Sequence, residues 1–242
     1  MVGCLWERNI VSKWSNEMSL TLRQEPSVYK TAVVTEITGG IRQALAHPRV
    51  YDCFQSVVGA FAWRKAVINE FVNGAIQDGG LIIDIGCGTC KILNYVTQNV
   101  EYIGFDRNQS YIDHARKRYA HRNASFANEE LSADFDLKGR KADFVLAFGL
   151  LHHLNDEDSS QLFNVARRFL RDAGSLLTLD PVYIPRQSRV ARYIISKDRG
   201  TAVRSEAAYK ALAYRYFKSV ESYINLSPLR IPYTGIVMKC SG

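Results

Sequence analysis

The chain has 242 residues, 47% of them apolar and 23% charged, which suits one α/β domain with added pieces better than two full domains. No run of about 18 apolar residues appears, so no spanning helix is expected, and no apolar h-region with a cleavage site follows the N-terminus, so a cytoplasmic protein is expected. The five cysteines (Cys4, Cys53, Cys87, Cys90 and Cys240) are odd in number and scattered, which argues against a disulfide framework.

Residues 1–40 show no sustained period and read as an irregular arm. Residues 41–242 read as a single domain, opening with a helical cap over 41–78. In that cap Pro48 starts one helix, with Val50, Phe54, Val57 and Val58 at helical spacing, and Phe61 to Phe71 forms another. From Leu81 the rhythm changes. Leu81–Ile85 is a short apolar run ending in glycines, as a buried parallel strand is. A helix is predicted at about 90–98, a strand at Tyr102–Phe105, a helix over 109–120 and a strand at Ala124–Ala127. Ala142–Phe148 (strand), 156–171 (helix) and Ser175–Leu179 (strand) complete a core over 81–180. Two strand-like runs, 217–225 and 234–240, close the chain within 214–242. Alternating strands and helices imply right-handed βαβ units. The expected fold is doubly wound α/β, with a seven-stranded, mostly parallel sheet and an antiparallel final strand.

The chemistry concentrates in Asp84-Ile85-Gly86-Cys87-Gly88-Thr89-Cys90. A strand that runs into glycines brings backbone close to a ligand at the carboxyl end of the sheet. A dinucleotide fingerprint requires a third glycine where Lys91 stands, and Asp84 would repel a pyrophosphate. S-adenosylmethionine has no phosphate and carries an ammonium and a sulfonium, which a carboxylate at the strand end favours. Asp106 follows 22 residues after Asp84, at the end of the second strand, where an acid accepts hydrogen bonds from a ribose diol. Taken alone, each acid has a plainer reading as a cap or turn residue. Cys87 and Cys90 form a CxxC without a second pair, and the glycine loop explains them better than zinc or redox chemistry does.

These motifs resemble a known family. Asp84–Thr89 with Gly104-Phe105-Asp106 resembles the first two motifs of the class I S-adenosylmethionine-dependent methyltransferases. Ala142–Leu154 looks like their fourth-strand motif, and Arg168–Leu177 like their lead into strand five. The resemblance covers about 81–180. It implies S-adenosyl-L-methionine as cofactor, held by Asp84, Gly86, Cys87, Gly88, Asp106 and Arg107, with Phe148 and Gly149 bordering it. Asn128 and Glu129 are the candidates for the adenine side. Cys90 departs from the family pattern, which often has a third glycine there.

On the acceptor side, His153 is the candidate general base, since an imidazole titrates near neutrality. The plainer alternative for the His152-His153 pair is that one caps the next helix and the other packs in the core. No HxH or HExxH spacing marks a metal, and metal-free chemistry is expected.

Residues 181–213 are too long for a plain connection. In this family the connection after strand five commonly forms a lid over the acceptor. Here it holds Arg186, Arg189, Arg192, Lys197, Arg199 and Arg204, with Asp198 among them. The net charge of +7 is correspondingly uneven. Residues 1–180 contain 20 Lys/Arg and 21 Asp/Glu, whereas residues 181–242 contain 11 and 3. Such a patch attracts an anionic partner, or simply faces water. Tyr183, Arg192, Arg199 and Arg204, with His153, are the candidate acceptor-binding residues. The 191–204 segment also resembles methyltransferases of surface-polysaccharide and small-molecule biosynthesis.

The leading reading is methyl transfer to an oxygen or nitrogen of a small-molecule or glycan-linked, anionic acceptor. RNA methylation is the second reading; nucleic acid is disfavoured because no RNA-binding module and no Asn/Asp-Pro-Pro-aromatic signature appear. A non-catalytic module that retains the cofactor pocket is the third.

Overall fold

A computed structural model describes residues 47–132, 135, 137–198 and 200–242. By contact the chain divides after Val33, and every described residue falls in the second unit, Val34–Gly242. The expected arm over 1–40, the first residues of the cap and Arg199 lie outside the described residues.

Helices α1 (Pro48–Val57) and α2 (Ala60–Phe71) come first, joined through Gly59. Pro48 sits at the start of α1, where its missing N–H costs nothing. The sheet follows as β1 (Leu81–Ile85), β2 (Glu101–Phe105), β3 (Ala124–Ala127), β4 (Ala142–Phe148), β5 (Leu170–Pro181), β6 (Ser219–Asn225) and β7 (Gly235–Ser241). Helix α3 (Gln109–Arg118) lies between β2 and β3, and α4 (Asp156–Phe169) between β4 and β5. Helices α5 (Arg189–Ser196) and α6 (Glu206–Ala213) lie between β5 and β6.

The strand order is β3-β2-β1-β4-β5-β7-β6, with β1 to β5 parallel and β7 antiparallel to both of its neighbours. The chain is therefore the doubly wound seven-stranded α/β protein that the motifs implied. Side chains alternate between faces. Ile83, Val145 and Ala147 enter one core with Phe163 of α4 and Tyr209 of α6. Ile82, Phe144 and Leu146 enter the other with Trp63 of α2 and Ile112 of α3. The strand order reverses direction between β1 and β4, and in open sheets the ligand crevice opens at that point, outside the carboxyl ends.

Two elements differ from the sequence expectation. The helix expected over about 90–98 is a single 3-10 turn, Lys91–Asn94. The guanidinium of Arg122 donates to the carbonyls of Leu93, Val96 and Thr97 at 2.9, 3.3 and 3.0 Å, the first of which a helix continued through Thr97 would use. Strand β5 starts five residues before the expected Ser175, because Leu170 already pairs with Ala142 across a register shift in β4.

Helix α2 is seated against the start of β7. A Cβ built on Gly235 would lie 2.0 Å from Cη2 of Trp63, which is buried. Gly235→Ala is expected to push the indole off its seat and to cost about 1–3 kcal/mol, the usual scale of overpacking. Urea unfolding would measure this; an unchanged midpoint would mean that the indole does not press on β7.

Candidate active site

Asp84 ends the buried part of β1 and is itself 3% exposed. The hydroxyl of Tyr102, on the neighbouring strand, donates to its Oδ2. Burial pushes the Asp84 carboxyl up to about 7; the Tyr102 hydrogen bond and the charge of Arg64 work against that rise. At neutral pH the group is balanced between its two forms.

The loop after Asp84 is built by positive-φ residues: Gly86 at 71° and Gly88 at 58°. Glycine adopts this region freely. Cys90 also adopts it, at φ 54° and ψ 24°, so a non-glycine residue holds a left-handed turn where the family often has glycine. Both thiols of the CxxC donate to the Gly88 carbonyl at 3.8 Å. Burial pushes both up from the usual thiol range, Cys87 well above it, so they stay protonated at neutral pH.

Asp106 closes the loop from β2. Its Oδ2 accepts from the Gly88 N–H and its Oδ1 from the Asn108 N–H, each at 2.8 Å. Asn128 donates to the Asp106 carbonyl at 3.0 Å, tying the end of β3 to the same place. Next to it, Glu129 keeps a buried Oε1 without a hydrogen-bond partner, and desolvation raises its carboxyl. Arg107 turns outward to an exposed ion pair with Glu130 at 3.1 Å.

A cleft over this loop is lined by Asp84, Gly86, Cys87 and Phe148 from the sheet side, and by Tyr51, Phe61 and Arg64 from α1 and α2. The sequence reading missed Arg64. Its Nε is buried without a hydrogen-bond partner, and its charge acts on Asp84. Its Nη2 would lie 3.5 Å from a Cβ at Gly149. The signal was there as an arginine between Trp63 and Lys65 in α2, AFAWRKAVINEF, but nothing local says which way it turns. Helix α1 is tied to the loop by Asp52, which accepts from the Thr89 hydroxyl and pairs with Arg118 at 3.1 Å.

Beyond Gly149 the chain makes a 3-10 turn, Leu151–His153. The N-cap of α4 is Asn155, whose side chain accepts from the Asp158 N–H at 2.8 Å, so neither histidine caps that helix. His152 is buried. Its Nδ1 lies 2.7 Å from Asp180 Oδ1, and its Nε2 lies 3.6 Å from Asp198 Oδ1. Burial lowers its pKa, but Asp180 and Asp198 outweigh this and lift it to about 9. The His153 ring lies against it, with centroids 4.1 Å apart.

The basic candidates divide. Arg192 is exposed, its guanidinium 4.8 Å from the centre of the Tyr183 ring. Arg204 is not available to an acceptor, which corrects the sequence expectation. Its side chain is 9% exposed, and its donors go to Asp156 at 2.9 Å and to the carbonyls of Leu151, Leu154 and Ala202 at 3.0, 2.7 and 3.0 Å. It clamps the turn that carries the histidines.

With this geometry in view, residues 82–174 match the family described as a methyltransferase domain. This stretch is a class I S-adenosylmethionine-dependent methyltransferase domain. No curated protein matches the chain. Solved structures similar to it include the mitomycin 7-O-methyltransferase MmcR, at 18% identity and a TM-score of 0.59 over 83% of this chain and 60% of that one. The magnesium protoporphyrin IX methyltransferase of Synechocystis, with bound S-adenosylhomocysteine, is similar at 17% identity and 0.57, over 97% and 99%. A TehB-like methyltransferase of Corynebacterium glutamicum is similar at 15% and 0.56, over 82% and 98%. At these identities the likeness is one of fold. The chain spans 60% of the length of the mitomycin enzyme. Among the described residues, no helix is long and apolar enough to cross a membrane.

The methyltransferase domain carries a measurable electrostatic cost at Asp84. The folded value lies above the unfolded one, so this group's stabilising contribution is complete below about pH 4. It is lost as the pH rises to about 7, on the order of 4 kcal/mol in all. Tyr102→Phe removes the hydroxyl that supports the ionised form. It is expected to cost about 1.5–3 kcal/mol at pH 8 and less at pH 5. Equal losses at both values, read from denaturant curves, would mean that the hydroxyl does not serve the carboxylate.

Proposed function

We propose that the protein transfers the methyl group of S-adenosylmethionine to an oxygen or nitrogen of an anionic small-molecule or glycan-linked acceptor. The observation that carries this is the pairing of charges in the cleft: the Asp84 carboxyl and the Arg64 guanidinium face it together from β1 and α2. The amino-acid end of the cofactor carries an ammonium and a carboxylate, which this pair matches with opposite signs. Asp106 takes the ribose hydroxyls on the lone pairs its two backbone donors leave, and Asn128 and Glu129 stand on the adenine side. Gly86, Cys87 and Gly88 supply the close backbone, and Phe148 and Gly149 border the methyl donor. Small-molecule chemistry is supported by the printed roles of similar structures, which include mitomycin 7-O-methylation and calicheamicin biosynthesis.

Transfer from the sulfonium is an in-line displacement, so the protein contributes alignment and water exclusion more than covalent chemistry. His153 stands beyond Gly149 as the group to accept a proton from an acceptor hydroxyl. Arg192, stacked on Tyr183 and exposed, is the anion contact. Arg199 joins it as a proposal from the sequence, whereas Arg204 does not.

Calorimetry with S-adenosylmethionine and S-adenosylhomocysteine tests the pocket, and mass spectrometry of nucleotide sugars and cell extracts with labelled cofactor tests transfer. Asp106→Ala is expected to weaken cofactor binding by about 1.5–3 kcal/mol, and Arg64→Ala by a similar amount. Because the ammonium favours ionised Asp84, affinity should fall by about tenfold per pH unit below 7. Asp84→Asn should flatten that dependence; constant wild-type affinity from pH 5.5 to 7.5 would remove Asp84 from the ammonium contact.

Arg192→Ala should raise the acceptor KM and leave cofactor affinity intact, with Arg192→Lys recovering only part because lysine lacks the planar fork. Unchanged acceptor kinetics in Arg192→Ala would mean that this arginine only faces water.

A further inference from the structure

We propose that His152, His153 and Asp198 form a binding site for a divalent first-row transition cation, with Zn2+ as its archetype. One donor atom from each of the three lies within 4.8 Å of the others. Two imidazoles and one carboxylate are the donors such cations prefer, whereas Mg2+ and Ca2+ take oxygen ligands. The spacing of one pair fits as well. Bonds of about 2.0–2.1 Å in a tetrahedral arrangement place neighbouring ligand atoms about 3.3–3.5 Å apart. His152 Nε2 and Asp198 Oδ1 are 3.6 Å apart, close to that separation.

The surroundings carry the second part of the case. A metal-ligating histidine usually has its other ring nitrogen held by a carboxylate, which fixes the ring and its tautomer. His152 Nδ1 is held by Asp180 Oδ1 at 2.7 Å, and the same oxygen accepts the His152 backbone N–H at 3.1 Å. The second oxygen of the Asp198 carboxylate is held in turn, accepting from the Tyr233 hydroxyl at 2.9 Å. Asp180 is 1% exposed, and its Oδ2 is buried without a hydrogen-bond partner. Two carboxylates thus bracket one imidazole in a poorly solvated place, and a dication balances them.

Spacing rules do not pick out this set, because the third ligand lies 45 residues after His153, in the connection after β5. Folding brings it back: the Ala202 N–H donates to the His152 carbonyl at 2.9 Å, docking that connection on the histidine turn. The site borders the acceptor side of the cleft, since a Cβ at Gly149 would lie 3.9 Å from His152 Cε1. It departs from the metal-free expectation, and His153 bound to the cation keeps no lone pair for an acceptor proton, so it replaces the base role given above; the cation site stands whether or not the protein transfers methyl groups.

The test is metal binding by the full chain, stripped with a chelator and titrated with Zn2+ against a chromophoric competitor. One equivalent is expected. His153→Ala and Asp198→Ala should each weaken binding by at least 100-fold, and Asp180→Asn by about 10–100-fold through the ring it orients. Cys87→Ser/Cys90→Ser should leave binding unchanged, and excess Mg2+ should not compete. Co2+ in place of Zn2+ should give visible absorption that His153→Ala abolishes. His153, the less buried histidine, gives the variant that best preserves the fold, and circular dichroism checks each one. Binding retained in folded His153→Ala and Asp198→Ala, lost instead with the cysteines, or absent from the wild type would overturn the proposal.

Discussion

The constraint on which this structure turns is a carboxyl group buried at the centre of a parallel sheet. Asp84 sits at the end of β1, where the order of strands reverses, and it is 3% exposed. A buried acid is costly unless its oxygens are engaged. Tyr102 and Arg64 supply part of that engagement, one from β2 and one from α2, and the acid stays close to half-ionised at neutral pH. The other features of the loop follow from keeping backbone near this group: the left-handed glycines, the Asp106 carboxylate that accepts the Gly88 N–H, and the two helices laid over them. The charge at this site therefore comes at a cost in stability.

A second electrostatic centre lies across Gly149 from the first. There the carboxylates outweigh the burial of the imidazole, and His152 ends with a raised pKa where Asp84 also has one, for opposite reasons: the acid is short of partners, and the histidine has two. Asp198 reinforces this. Burial would raise its carboxyl, but the contact with His152 dominates and draws it well below the ordinary range. Gly149 lies between them: a Cβ there would be 3.5 Å from Arg64 Nη2 and 3.9 Å from His152 Cε1.

Much of the core was legible. Strands β1, β3 and β4 match their expected bounds because each is an apolar run closed by a turn or charged residue, which leaves little freedom of assignment. The stretch after Cys90 was not legible as a 3-10 turn. Its apolar residues have helical spacing, and the contacts of its carbonyls with Arg122, some 30 residues on, are not written in the local sequence. The acids of the cofactor loop were readable because they sit at strand ends with glycines between them. Arg64 and Asp198 were not, since each reaches its place through packing that local sequence does not encode. Arg204 shows the converse error: charge composition put it with the acceptor residues, whereas carbonyls at the end of a turn claimed its hydrogen bonds.

The way Arg204 closes the connection after β5 bears on how much that connection can vary. Tyr183 bridges to Ser205, and the Tyr183 N–H donates to the Arg204 carbonyl at 3.0 Å, so a stretch of more than twenty residues begins and ends at one point. The entropy of closing it is borne at that base and grows only slowly with length. Helix α5 rides above it with Arg189, Val190, Arg192 and Tyr193 exposed, outside either core. Insertions and substitutions on that outer face leave the sheet untouched. The segment is a cassette, anchored at its base, whose outer face can vary while the sheet stays unaltered.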